Sequence, residues 1–211
     1  GFKINKTSHI KLTDYIQSVA EKKSENEVRK TVLHAVVYHL RRYNPNDIQL
    51  SRIDKDYILG FLDYLKTAKQ THTKKEKLLH VNTQVYYYKM LRYCLNYAVS
   101  EELISANPMN KIKNEEKPHK HRTEREYLTI DELRKLAQTP FYNGLLKKAF
   151  LFSCFCGLRH SDIIALTWGD IEMDDDGNFR LYIIQKKTKE AISLPLSQEA
   201  IKQLPKREDA K

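Results

Sequence analysis

The chain has 211 residues, 41% of them hydrophobic, and a formal net charge of +10. That apolar content suffices for one large core or two small ones, and no apolar run approaches the ~20 residues of a membrane span. Three cysteines, Cys94, Cys154 and Cys156, cannot build a disulfide framework, and the start Gly1-Phe2-Lys3-Ile4-Asn5 lacks the apolar stretch of a secretory signal; both point to a reducing cytoplasm.

The first 105 residues are expected to be helical. Leu12, Ile16 and Val19 recur at helical spacing, and Val28, Val32, Ala35 and Leu40 do so in the next segment. Asn44-Pro45-Asn46 breaks that second helix. Asp54 starts a third, striped by Tyr57, Ile58, Phe61, Leu62 and Leu65. After a polar, lysine-rich loop over residues 66–77, a fourth helix is expected to open near Asn82-Thr83, both good caps, and to run to about Ser100. Its buried stripe is Val85, Tyr88, Leu91, Leu95 and Ala98, with Tyr86, Lys89, Tyr93 and Asn96 on another face. The run Tyr86-Tyr87-Tyr88 reads as packing rather than as a platform for stacked bases. Four helices on short loops make a bundle.

Asn107-Pro108 closes this first domain, residues 1–110. Residues 111–125 are charged and without apolar period, so they read as a basic linker. A second domain, residues 126–211, opens with Thr129 capping a helix through Leu136, Glu132 completing a capping box. A further helix covers about Asn143 to Cys156 and ends at Gly157, a residue suited to a left-handed helix stop. Ser161 can cap the next, Asp162 to Leu166. Strands follow at Ile171–Met173, Arg180–Gln185 and Ala191–Leu194, separated by turns at Asp174–Asn178 and Lys187–Glu190. Pro195 closes the sheet, and Ser197 can cap one more helix. The fold class is mainly α with a small three-stranded sheet.

Charge separates the two halves. Residues 1–110 carry 18 Lys and Arg against 11 Asp and Glu, residues 111–125 carry 6 against 3, and residues 126–211 carry 13 against 13. The whole excess lies in the bundle and linker, which suits a polyanion. Lys74, Lys75 and Lys77 in the loop, with Asn82, Thr83 and Lys89 on the fourth helix, are the candidate DNA contacts. Lys111, Lys113, Lys117 and Lys120 would continue them along the linker. Other chemistries find no support. No second Cys/His pair complements Cys154-x-Cys156 or His119-x-His121 at zinc spacing, no Gly-rich phosphate loop is present, and no glutamate closes Asp174-Asp175-Asp176 into a calcium loop.

Between the two central helices of the second domain stands Arg159, where two rigid elements would project it. The run Gly157-Leu158-Arg159-His160-Ser161-Asp162-Ile163, continued by Leu166 and Trp168, resembles the first active-site box of the tyrosine recombinases, the phage-integrase family, in the versions carried by Bacteroidetes mobile elements. Gln185-Lys186-Lys187-Thr188 followed by Leu194-Pro195-Leu196 resembles the second, in which a hairpin lysine precedes the proline by eight residues, as Lys187 precedes Pro195. The bundle resembles, more weakly, the family's SAM-like core-binding domain.

The resemblance implies DNA cleavage by a tyrosine, through a 3′-phosphotyrosyl link, without metal or nucleotide cofactor, on double-stranded core sites bound by a tetramer. It assigns Arg159 to the phosphate oxygens, where a guanidinium fork offers paired, always-charged donors. It assigns Lys187 to protonation of the leaving 5′-oxygen, with Lys186 and Lys189 as neighbours that spacing does not exclude. Asp162 becomes the acid that orients this cluster, or a charge favourable at a helix start. The family's His-x-x-Arg box and tyrosine nucleophile are not found among these residues: no histidine follows His160, and the last tyrosine, Tyr182, lies inside the hairpin. The expectation is a fragment comprising the core-binding domain and the first half of an α+β catalytic domain, inactive alone. A non-catalytic DNA-binding relative that occupies recombination sites is the alternative, and a helical protein–protein adaptor a weaker third.

Overall fold

Asp54 does what its position predicts: its Oδ1 accepts the Tyr57 N–H at 2.8 Å and starts a helix. That helix belongs to a computed structural model that describes residues 9–23, 27–70, 76–122 and 124–207. The described residues form eight α-helices and one three-stranded antiparallel sheet. The chain divides into two compact units, Gly1–Glu124 and Arg125–Lys211.

In the first unit, α1 (Leu12–Lys23), α2 (Glu27–Tyr43), α3 (Lys55–Thr67) and α4 (Val81–Ser100) surround one core. Leu12, Ile16, Leu33, Leu40, Ile58, Phe61, Leu65, Leu91 and Leu95 are fully buried in it, each contributing about 1.5–3 kcal/mol relative to exposure. The stripes read for α1, α3 and α4 are the buried ones in the main, with Tyr57 only half-buried. The stripe read for α2 is not. Of it only Leu40 is buried: Val28 is exposed, Val32 and Ala35 are half-buried, and the helix buries Leu33, Val36 and Val37 alongside Leu40. Those four sit at i, i+3, i+4 and i+7, an equally regular set one residue out of phase, which the apolar-rich sequence of α2 does not distinguish.

The start of α1 is capped from a distance. Asp47, held at φ 55°, a region aspartate tolerates, accepts the Thr13 N–H at 3.2 Å and the Thr13 hydroxyl at 2.8 Å. Helix α4 opens one residue before Asn82, and His80 caps it, its Nδ1 accepting the Asn82 N–H at 3.1 Å. Tyr87 and Tyr88 are buried and only Tyr86 is exposed, so the tyrosine run packs rather than presenting three rings.

His39 on α2 is 1% exposed, ringed by Tyr38, Tyr64 and Tyr87 at centroid distances of 5.2–6.1 Å. Burial, with the charge of Arg42, pushes its pKa down to about 4. The folded state therefore holds His39 neutral where the unfolded chain, near 6.5, binds a proton. Stability is complete above about pH 6.5 and falls as pH drops toward 4, by up to about 3 kcal/mol. Glu21, Glu76 and Glu116, held low by lysine partners, lose their contributions only below about 4.5. Urea denaturation of wild type and His39→Phe at pH 7.5 and 4.5 checks this: the variant is expected to lose most of the difference. An equal acid loss in both would assign it elsewhere.

Residues 107–121 fold onto the first unit. Met109 and Ile112 enter its core at 0% and 4% exposure, and the Lys55 ammonium pairs with Glu116 at 2.8 Å. Within residues 111–125, read as a linker, Ile112 is a single buried apolar side chain, too little to register as a period.

In the second unit, α5 (Ile130–Gln138) opens with the expected capping box: the Thr129 hydroxyl accepts the Glu132 N–H at 3.3 Å, and Glu132 accepts the Thr129 N–H at 2.8 Å. Then come α6 (Gly144–Cys156), α7 (His160–Ala165), β1 (Ile171–Met173), β2 (Phe179–Ile184), β3 (Ala191–Pro195) and α8 (Gln198–Ile201), the last capped by Ser197. The sheet is a β1-β2-β3 meander with Ile171 opposite Leu181 and Leu181 opposite Leu194. Phe152, Leu158, Leu181, Leu196 and Ala200 form its core. Leu145, Leu146 and Phe150 of α6 remain exposed. No helix among the described residues is long and apolar enough to cross a membrane.

Candidate functional site

Helix α6 stops at Gly157, at φ 66°, where its N–H still reaches the Ser153 carbonyl at 2.8 Å. Glycine adopts that left-handed backbone without steric penalty. Leu158 follows, buried at 5% and pinned through its carbonyl by the Ser153 hydroxyl at 3.0 Å. Arg159 is next and exposed. It stands at the cap position of α7, with its own carbonyl accepting the Asp162 and Ile163 N–H groups at 2.9 and 3.0 Å. The expected cap, Ser161, lies two residues too late and directs its hydroxyl at Asp162 Oδ1, 3.4 Å away. Arginine caps poorly by side chain, so this helix start leaves the guanidinium unengaged with its own backbone.

The guanidinium reaches the hairpin instead. Arg159 Nη1 donates to Gln185 Oε1 at 2.7 Å across 26 residues of sequence. The same Gln185 oxygen accepts the Thr188 hydroxyl at 2.8 Å. Asp162, 4% exposed, accepts the Lys186 backbone N–H on Oδ1 at 2.9 Å, while its Oδ2 is buried with no hydrogen-bond partner among the described residues. Two threads therefore join the arginine turn to the β2–β3 turn: a charged donor on a side-chain amide, and a buried carboxylate on a backbone amide. An unsatisfied buried acceptor costs about 1–3 kcal/mol.

The turn is built to hold its shape. Gln185 N–H donates to the Glu190 carbonyl at 2.8 Å, Lys189 N–H to the Gln185 carbonyl at 2.9 Å, and Lys189 takes φ 62°. Lys187 sits at the middle of it, exposed, and makes no hydrogen bond or ion pair among the described residues. Its neighbours Lys186 and Lys189 line a hollow of about 220 Å³ together with Asp162 and Asp170; Lys187 does not. Gln185 had no role in the sequence reading. Its presence in the second box was visible, but the pairing with Arg159 is tertiary.

On the first unit, Lys77 and Lys89 are exposed and Thr83 is half-buried at the start of α4; Lys111, Lys113 and Lys120 are exposed and Lys117 is half-buried. Lys74 and Lys75 lie outside the described residues. Asn82 differs from the expectation of a free contact. Its amide donates to the His121 carbonyl at 3.1 Å and accepts the His121 N–H at 2.9 Å, so both ends are engaged within the unit.

Residues 11–115 match the phage integrase SAM-like domain family. The chain belongs to the phage integrases, the tyrosine recombinase family. No curated protein matches it significantly. Among solved structures, the Tn1549 transposon integrase in complex with circular intermediate DNA aligns with a TM-score of 0.67 at 14% identity, over 92% of this chain and 63% of that one. A lambda integrase tetramer bound to a Holliday junction aligns with a TM-score of 0.67 at 20% identity, over 93% and 55%. A lambda integrase dimer bound to a core site gives 0.63 at 22% identity, over 90% and 61%. At these identities the likeness is one of fold. The chain spans between 55% and 63% of the length of those integrases.

Proposed function

We propose that this chain is the DNA-gripping part and half the active site of a mobile element's tyrosine recombinase, acting in the cytoplasm by cleaving and rejoining duplex DNA at recombination sites. One observation carries the reading: Arg159 and the turn bearing Lys187, far apart in sequence, are tied together through Gln185 at 2.7 Å. A fork of donors beside an exposed lysine suits a phosphodiester. The fork stabilises negative charge gathering on the non-bridging oxygens, and the lysine protonates the departing 5′-oxygen. Asp162, buried beneath both, orients them. On this reading the His-x-x-Arg box and tyrosine nucleophile are supplied from outside these residues, and the whole enzyme works as a tetramer on its site.

The basic first unit supplies grip. Its exposed lysines, with the N-terminal turn of α4, face a polyanion without any metal or nucleotide requirement. The 211-residue chain is expected to bind a short mixed-sequence duplex at low salt and to lose affinity steeply as salt rises, with a log–log slope of about −0.9 per phosphate contact. It is expected to form no covalent adduct. Salt-independent binding, or no binding at low salt, would overturn the DNA reading and favour an adaptor. A denaturant-resistant protein–DNA band would place the nucleophile among these residues, against the half-site reading.

A further inference from the structure

The segment after α4 runs back along it. Asn107 donates to Asn96 Oδ1 at 2.7 Å and to the Arg92 carbonyl at 3.4 Å, and Arg92 Nη2 donates to Asn110 Oδ1 at 3.1 Å. Met109 and Ile112 then plug into the core. Glu116 pairs with Lys55 at the first turn of α3 while accepting the Lys113 N–H at 2.7 Å, and the His119 ring meets the Asn114 carbonyl at 2.9 Å. The run ends where Asn82 exchanges two hydrogen bonds with the backbone of His121. Contacts have moved from Asn96 to Asn82, fourteen residues or about 21 Å of helix.

We propose that residues 107–121 are a fixed strap, that Asn82 is its clasp, and that the strap holds Lys113, beside the first turn of α3, and Lys120, at the N-terminal end of α4, as a preorganised rail for duplex phosphates. Asn82 is thus a positioning residue and not a DNA contact. The amide suits this: it donates and accepts together, so it pairs with a backbone N–H and C=O as a strand neighbour would, whereas a carboxylate only accepts. The clasp also brings the chain out of the first unit beside His80, three residues after Lys77, so the exposed Lys120 joins the end of the bundle where Lys77 and Thr83 already lie. Lysines already held where phosphates will lie bind without the ordering cost of a mobile segment. The rail rests on the DNA reading above; the clasp does not.

Two readouts on the full 211-residue chain separate them. Hydrogen–deuterium exchange without DNA reports the clasp: Asn82→Ala is expected to speed exchange of the His121 amide at least tenfold, and Asn82→Asp, which keeps only the acceptor, less. Exchange unchanged in Asn82→Ala would overturn the clasp. Binding to a mixed-sequence duplex across a salt series reports the rail. Lys113→Gln with Lys120→Gln is expected to reduce the log–log slope by about 1.8, two contacts at about 0.9 each, and Asn82→Ala to weaken binding about tenfold at a single salt concentration. Wild-type slope in the lysine variant, or wild-type affinity in Asn82→Ala, would overturn the rail. A wild-type chain that shows the exchange effect yet never binds duplex would sink the DNA reading and the rail together while keeping the clasp.

Discussion

Arg159→Ala is expected to lower strand cleavage by an active recombinase built on this chain by two to three orders of magnitude, while duplex binding stays within a few-fold. The size follows from removing one preorganised donor set aimed at transition-state charge, which costs about 2.7–4 kcal/mol. The selectivity follows from the structure. Arg159 is exposed, and among the described residues its side chain makes a single hydrogen bond, to Gln185, worth about 1 kcal/mol to stability. The hairpin keeps its second tether through Asp162 and Lys186, so the fold and the basic first unit survive the change. Arg159→Lys keeps the charge but not the planar fork, and is expected to recover only a small part of the rate. Single-turnover cleavage of a suicide substrate, with thermal denaturation alongside, checks both. Wild-type cleavage by Arg159→Ala would remove the arginine from the chemistry; a variant that no longer folds would assign it to structure.

How much of this was legible depends on how local each cause is. Asp54 before α3, the Thr129–Glu132 box before α5 and Gly157 after α6 act within four residues, so sequence alone placed them. Where two local solutions compete, the sequence misleads. Helix α2 is apolar on adjoining faces, and only packing selects Leu33, Val36 and Val37 over Val28, Val32 and Ala35. Ser161 is a better cap than Arg159 by propensity, yet Leu158 is buried in the core and α7 begins right after Arg159, leaving Ser161 inside the helix. The remaining surprises are side chains bonding to distant partners. Gln185 to Arg159 and Asn82 to His121 span 26 and 39 residues, and neither pairing announces itself by period, charge or motif. The family boxes pointed to the two segments that meet through Arg159 and Gln185, but not to the bonds that tie them.

That distinction matters for the lysine, where three neighbours were candidates. Lys186 gives its backbone N–H to Asp162, and both Lys186 and Lys189 line the hollow shared with Asp162 and Asp170. Lys187 lies outside that hollow and makes no hydrogen bond or ion pair among the described residues, so on the proposed reading it is the proton donor. Lys187→Ala is accordingly expected to slow cleavage of an ordinary phosphodiester by about 10²–10⁴, the usual span for a lost general acid. With a 5′-bridging phosphorothiolate, whose sulfur departs as the thiolate without needing a proton, the same variant is expected to regain most of the rate. Lys186→Ala and Lys189→Ala are expected to show smaller defects, similar on both substrates. Equal impairment of Lys187→Ala on the two substrates would reduce Lys187 to an electrostatic or structural role. Selective rescue of either neighbour would move the proton transfer to that residue.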